Sequence, residues 1–253
     1  MKKASHTRIA DLKAVLANQR ALGRRFIWLL LVPLALSTAL LVMLYITTSR
    51  LTDVEIVARQ LTIEGLFADD GNYEEAVDQY KQIAAIRPTP AILARLGLLY
   101  FQLDRDANEQ LAVDTLERAK GLDPDYWLTY RYLNYIYTCR GKAEEAIKSG
   151  EEGLKHNKLD AKLYNNLAWV YATSHEPFAN LERAQQYAER ARDLTHSKYG
   201  DVLDTLAEVY YRKGGEENRR QALELLHKAD EMSPNGDTTY KTRIAKLFPN
   251  EKL

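Results

Sequence analysis

The sequence predicts an all-helical protein: one membrane-spanning helix, then a stack of about five helix pairs, then a capping helix. Three observations predict it. From Phe26 to Ile46 there is not one charged side chain. Beyond that stretch, a pattern of small, aliphatic and aromatic residues returns about every 34 residues, with small surpluses in some units. Alternating runs of β-branched residues, the mark of half-buried strands, are missing throughout.

Ahead of the uncharged stretch, Lys2, Lys3, Arg8, Lys13, Arg20, Arg24 and Arg25 stand against Asp11 alone. Ile9, Leu12, Val15, Leu16, Leu22 and Phe26 recur among them at helical spacing, so 1–25 reads as a basic amphipathic segment. Two roles are open to it: a topology signal only, or a helix touching anionic lipid or a cytoplasmic partner. At about 1.5 Å per residue the uncharged stretch makes roughly 31 Å of helix, the depth of a hydrocarbon core. It is longer than the apolar part of a cleaved signal, and Tyr45 to Arg50 holds no small-x-small cleavage pattern, so an uncleaved anchor is expected. Pro33 falls inside it, where membrane helices tolerate a kink.

Charge then orients the chain. The whole sequence holds 35 basic and 35 acidic residues; seven of the basic ones and one acidic one precede the span, so the part from 47 to 253 is net acidic. Basic residues beside a span stay cytoplasmic, so the N-terminus is expected inside and the long acidic part outside, in the periplasm if the membrane is a bacterial inner membrane.

The repeat follows. Tyr73, Ala76, Tyr80, Ile83 and Pro88 close a first unit. Leu93, Leu96, Gly97, Tyr100, Ala112, Leu116, Ala119 and Pro124 make a second, and Tyr130, Leu133, Tyr137, Ala146 and Gly153 a third. Tyr164, Leu167, Ala168, Tyr171, Ala184, Ala188 and Ala191 form the fourth; Leu203, Leu206, Ala207, Tyr210, Ala222, Leu226, Ala229 and Pro234 the fifth. Gly97, Asn134, Ala168 and Ala207 hold equivalent positions, and their spacing fits a base period of about 34 residues with the surplus expected in loops at Gln102–Gln110, Thr173–Asn180 and Gly214–Arg220. Small residues let paired helices approach, and stacking buries a core that no single pair could close. Tyr240, Ile244, Leu247 and Phe248, ahead of Pro249, supply the end cap.

Tyr164-x-x-Leu167-Ala168-x-x-Tyr171 and Leu203-x-x-Leu206-Ala207-x-x-Tyr210 resemble the tetratricopeptide repeat (TPR) motif, and Asn165 to Thr173 resembles bacterial members of that family. The resemblance covers about 55–235 and implies a right-handed α-solenoid over 47–236, with 237–253 as cap and tail. The first unit departs most from the motif, with Glu64 where a small residue is expected; the third has Asn134, Gly150 and Gly153, and the fourth lacks the final Pro. In the family, first helices line the inner face. Projection places Leu61 and Gly65; Ala94, Leu98 and Phe101; Arg131, Tyr135 and Thr138; Lys162, Asn165, Trp169 and Ala172; and Asp201, Asp204, Glu208 and Tyr211 toward that groove. Of these, Arg131, Tyr135, Lys162, Asn165, Trp169, Asp204 and Glu208 are the candidate partner-binding residues, because aromatics and Arg dominate interface energetics and an Asn amide can pair with a peptide backbone. Leu61 and Gly65 stand in the first two positions of the family's carboxylate clamp, so that ligand mode is not expected. Tyr100, Tyr137, Tyr171 and Tyr210 recur at one motif position and read as core.

Chemistry is otherwise sparse. Five scattered histidines make no metal-ligand pattern, Cys139 is alone and reads as a small buried residue, and no phosphate-binding glycine loop occurs. The acidic composition after the span argues against nucleic acid. No enzyme, metal or cofactor is expected. The expected function is a single-pass membrane scaffold or assembly factor that binds a protein on the periplasmic side for an envelope complex. The alternative is a structural subunit of a larger membrane machine whose span makes the main contacts.

Overall fold

In the computed structural model, the structure describes residues 37–46, 72–234 and 237–249, all helical apart from turns. The chain separates into two units, Met1–Thr62 and Ile63–Leu253. In the first, 37–46 is helical (α1) and every side chain is exposed, Leu40 by 69% and Tyr45 by 74%. The rest of the expected span, 26–36, and the basic head lie outside the described residues. Among the described residues no helix is long and apolar enough to cross a membrane.

The second unit is a run of helices: α2 Tyr73–Ile86, α3 Pro90–Leu103, α4 Glu109–Leu122, α5 Trp127–Cys139, α6 Ala143–His156, α7 Ala161–Thr173, α8 Leu181–Thr195, α9 Gly200–Lys213, α10 Glu216–Glu231 and α11 Thr239–Leu247. The starts are chemically marked. Thr89 accepts from the Ile92 N–H ahead of Pro90, Asp160 from the Leu163 N–H and Asn180 from the Arg183 N–H. Helices α3 and α4, α5 and α6, α7 and α8, and α9 and α10 pack as antiparallel pairs, and α2 packs on α3 as the second helix of a further pair. The first helix of that pair, expected to start near Leu51, lies outside the described residues.

Surplus residues are absorbed in two ways. Two insertions are loops, 104–108 and 174–180; Asp104 accepts from the Asp106 and Ala107 N–H groups, each at 2.9 Å, to close the first. The expected loop at Gly214–Arg220 is instead a turn of two glycines. Gly214 (φ 70°) and Gly215 (φ 82°) take backbone angles that side-chain-bearing residues avoid, and α10 starts at Glu216. The extra length goes into α10, which has 16 residues.

The motif positions form the core: Leu93, Ala112, Leu116 and Leu133 at one end, Leu167, Ala184, Ala188 and Leu206 farther on. Helix α11 seats Ile244 and Phe248 against Ala207, Ala222 and Leu226. The departures in the third unit are compensatory. Where the second unit pairs Gly97 with Leu116, the third pairs the larger Asn134 with Gly150, and Asn134, fully buried, donates to the Ala146 carbonyl at 2.8 Å. The recurrent tyrosines differ from expectation. Tyr171 is buried, but Tyr100, Tyr137 and Tyr210 are half-buried, because in this position the ring packs while the polar tip stays at the surface. Two of the hydroxyls reach the preceding unit: that of Tyr171 donates to Glu151 at 2.8 Å, and that of Tyr210 to Glu189 at 3.1 Å. Cys139, at the last residue of α5, is exposed rather than buried.

Candidate partner-binding groove

Successive first helices touch one another, α3 with α5, α5 with α7 and α7 with α9, whereas second helices make no comparable mutual contact among the described residues. A stack closed on one layer and splayed on the other curves toward the closed layer. The first helices therefore line the inner face.

Across these helices is a cavity of about 350 Å³ lined by Arg95, Leu98 and Gln102 of α3, Arg131, Tyr132 and Tyr135 of α5, Lys162, Asn165 and Asn166 of α7, and Asp201 of α9. It brings together Arg131, Tyr135, Lys162 and Asn165 of the sequence-derived set. Their positions are built by local chemistry. The Arg131 guanidinium lies 4.9 Å from the Trp127 ring centre and 5.4 Å from that of Tyr132, with Asp160 at 3.5 Å. Asp160 is almost fully buried and caps α7 as well, so one carboxylate couples the aim of Arg131 to the start of the next first helix. Tyr135 meets Phe101 edge to face at 6.0 Å, and burial pushes its phenol pKa up. Lys162 is exposed in the first turn of α7. One turn on, the Asn165 Oδ1 is shielded from solvent and accepts no hydrogen bond from the described residues.

Trp169, Asp204 and Glu208 are gathered elsewhere, at the α11 end. Arg243 of α11 stacks on Trp169 at 5.5 Å, pairs with Asp204, and reaches Glu208 at 2.6 Å; Arg212 holds the other oxygen of Glu208. Glu208 is buried rather than open to the groove. Burial raises the Asp204 pKa despite the opposing pull of Arg243. Beside this ion cluster lies a cavity of about 510 Å³ lined by Trp169, Thr173, Tyr211, Lys246 and Leu247 among others. Trp169 also borders a separate cavity of about 450 Å³ with Tyr137, Thr138, His175 and Phe178.

On α3 the structure keeps Leu98 in the cavity wall but not the other two expected residues: Ala94 and Phe101 are wholly buried in the core, and Ala172 on α7 is nearly so, while Arg95 and Gln102 face the groove. Polar residues at 95 and 102 flanking apolar 94 and 101 were the available signal. Arg243 carried no such signal, since its role depends on where the cap lands. Leu61 and Gly65 lie outside the described residues.

No family model matches the chain. It is 26% identical over 179 residues to the TPR repeat-containing protein YpiA of Bacillus subtilis, an alignment covering 70% of this chain and 39% of YpiA. The chain thus spans about two fifths of that relative's length. It is 29% identical over 138 residues to an uncharacterized protein of Haemophilus influenzae, covering 53% of this chain and 72% of the other. Among solved structures, the TPR protein TTC0263 of Thermus thermophilus superposes with a TM-score of 0.63 at 20% identity, over 77% of this chain and 99% of the other. PilF of Pseudomonas aeruginosa superposes with a TM-score of 0.60 at 16% identity, over 79% and 95%. These likenesses extend to the helix-pair stack and stop there.

Proposed function

We propose that the chain, whose helix-pair stack resembles that of the tetratricopeptide-repeat protein TTC0263, is a membrane-anchored scaffold. It grips an extended segment of another protein in the inner groove, on the extracytoplasmic side, during assembly of an envelope complex. The observation that carries this reading is Asn165. A shielded amide oxygen that accepts no hydrogen bond costs free energy, and an N–H from a polypeptide laid along the groove would remove that cost. The aromatic and guanidinium side chains beside it are the types that concentrate binding energy.

Anchoring is supported by the uncharged stretch Phe26–Ile46 and by the exposed apolar side chains of α1, which water would penalise and lipid would accept. Orientation is supported by the seven basic residues ahead of the span. A tether confines the groove near the bilayer and raises the effective concentration of membrane-bound partners.

Two experiments test the proposal. Crosslinking and copurification from solubilised membranes should lose the partner with Asn165→Ala or Arg131→Ala; undiminished recovery with both removes the groove from the mechanism. Cys139, the one cysteine of the chain and an exposed one, should react in intact spheroplasts with a membrane-impermeant maleimide. Labelling only after the membrane is opened would reverse the orientation.

A further inference from the structure

We infer that the groove is built for an acidic, extended polypeptide segment whose carboxylates seat against Arg131 and Lys162. This rests on the groove being the binding face.

The lining is the first argument. Three successive first helices each contribute one cation to the same 350 Å³ cavity, and the one carboxylate in its wall, Asp201, comes from the fourth helix. The chain from 47 to 253 is acidic overall, so cations gathered on this wall run against the composition of the part that carries it.

Availability is the second. Lys162 is exposed and pairs with no carboxylate among the described residues. Arg131 is oriented rather than consumed: Asp160 stands 3.5 Å from one terminal nitrogen, while a guanidinium has five N–H donors. Asp204 and Glu208, which the sequence places toward the groove and which would draw a basic segment, lie at the α11 end and are already neutralised by Arg243 and Arg212. The charge left for a partner to meet is positive.

Spacing is the third. Neighbouring packed helices stand about 8–10 Å apart, and an extended chain advances about 3.3 Å per residue, so cations on successive helices match carboxylates about two or three residues apart. Backbone N–H groups between those carboxylates fall where Asn165 Oδ1 can accept one. A lone small anion would engage one cation and leave Asn165 unanswered. A run of acidic side chains on a polypeptide satisfies both.

The test uses the full chain in nanodiscs and three fluorescein-labelled peptides, repeating Glu-Gly-Ser, Gln-Gly-Ser and Lys-Gly-Ser, read by anisotropy. The Glu peptide should bind tightest, and its affinity should fall about tenfold or more between low and near-molar salt. Lys162→Glu, at an exposed site that leaves packing intact, should weaken the Glu peptide by about tenfold or more and invert the preference toward the Lys peptide. Equal binding of Glu and Gln peptides, or a Glu peptide indifferent to Lys162→Glu, overturns the acidic preference. If the Gln peptide binds as well as the Glu peptide and is lost with Asn165→Ala, the groove reading survives and its charge selectivity falls. If no peptide binds and the natural partner is retained by Asn165→Ala and Lys162→Glu alike, both readings fall. Inhibition by inorganic phosphate as strong as by unlabelled Glu peptide would assign the cations to small anions and also overturn the proposal.

Discussion

Replacing Gly150 by alanine isolates the packing that spaces the groove. Gly150, on α6, faces α5 and α7 at once. A Cβ built there would stand 2.6 Å from Leu167 Cδ2 and 2.8 Å from both Leu167 Cγ and Asn134 Nδ2. Ordinary contact is about 3.5–4.0 Å, so the methyl group arrives roughly 1 Å too close on two sides. Neither neighbour can retreat into solvent: Leu167 and Asn134 are both fully buried, and Asn134 is tied to the Ala146 carbonyl. Overpacking costs about 1–3 kcal/mol, while relieving a helix of glycine returns about 1 kcal/mol. The net expectation is a loss of up to about 2 kcal/mol, or a fall of up to roughly 4–8 °C in Tm for a unit of this size. Thermal unfolding of the full chain in detergent, followed by circular dichroism, measures it. Asn134→Ala removes one of the two clashes, so the double variant should be more stable than the sum of the singles predicts, with a coupling of about 1 kcal/mol. Leu167 is on α7 and Asn134 on α5, the helices that carry Lys162 and Arg131, so Gly150→Ala should also weaken groove binding. A Tm raised by Gly150→Ala, or strict additivity with Asn134→Ala, refutes the reasoning.

Arg243→Ala leaves Asp204 and Glu208 without their shared cation at mostly buried positions, and should cost about 2–4 kcal/mol in denaturant unfolding; Arg243→Lys should recover only part, since an ammonium cannot fork between two carboxylates. Asp204 also predicts a pH dependence. Its folded-state pKa is raised by burial, so the fold holds this proton to a higher pH than the unfolded chain does, and protonation favours the fold. Stability of the parent relative to Asp204→Asn should therefore rise as pH falls through the folded-state pKa and level off below the unfolded one, as read by Tm against pH. Glu109 behaves oppositely: the hydrogen bond from Lys142 lowers its pKa, and its contribution is lost on acidification. Trp127→Ala removes the ring on which Arg131 rests and should weaken Glu-peptide binding by about 0.5–1 kcal/mol in anisotropy titrations, with Trp127→Tyr losing less.

The repeat was legible because each unit reuses the same packing solution, so Leu133, Leu167 and Leu206 announce buried positions by recurrence alone. The groove was half legible. Periodicity says which face of a helix is sticky, but it leaves a rotational freedom of roughly one position, and on α3 that position separates Phe101 in the core from Gln102 in the groove.

Sequence by itself determined what is local and repeated: an all-helical stack, its small-to-large pairing, an uncharged stretch long enough for a bilayer and an asymmetry of charge around it. Tertiary structure alone decided which charges remain open to a partner. Asp204 and Glu208 look like free groove carboxylates in the sequence. Arg243, far along the chain from both, cancels them only because α11 lands against α10 and brings its guanidinium across α9. A charge pattern read along the chain counts groups; their pairing depends on distances that only packing sets.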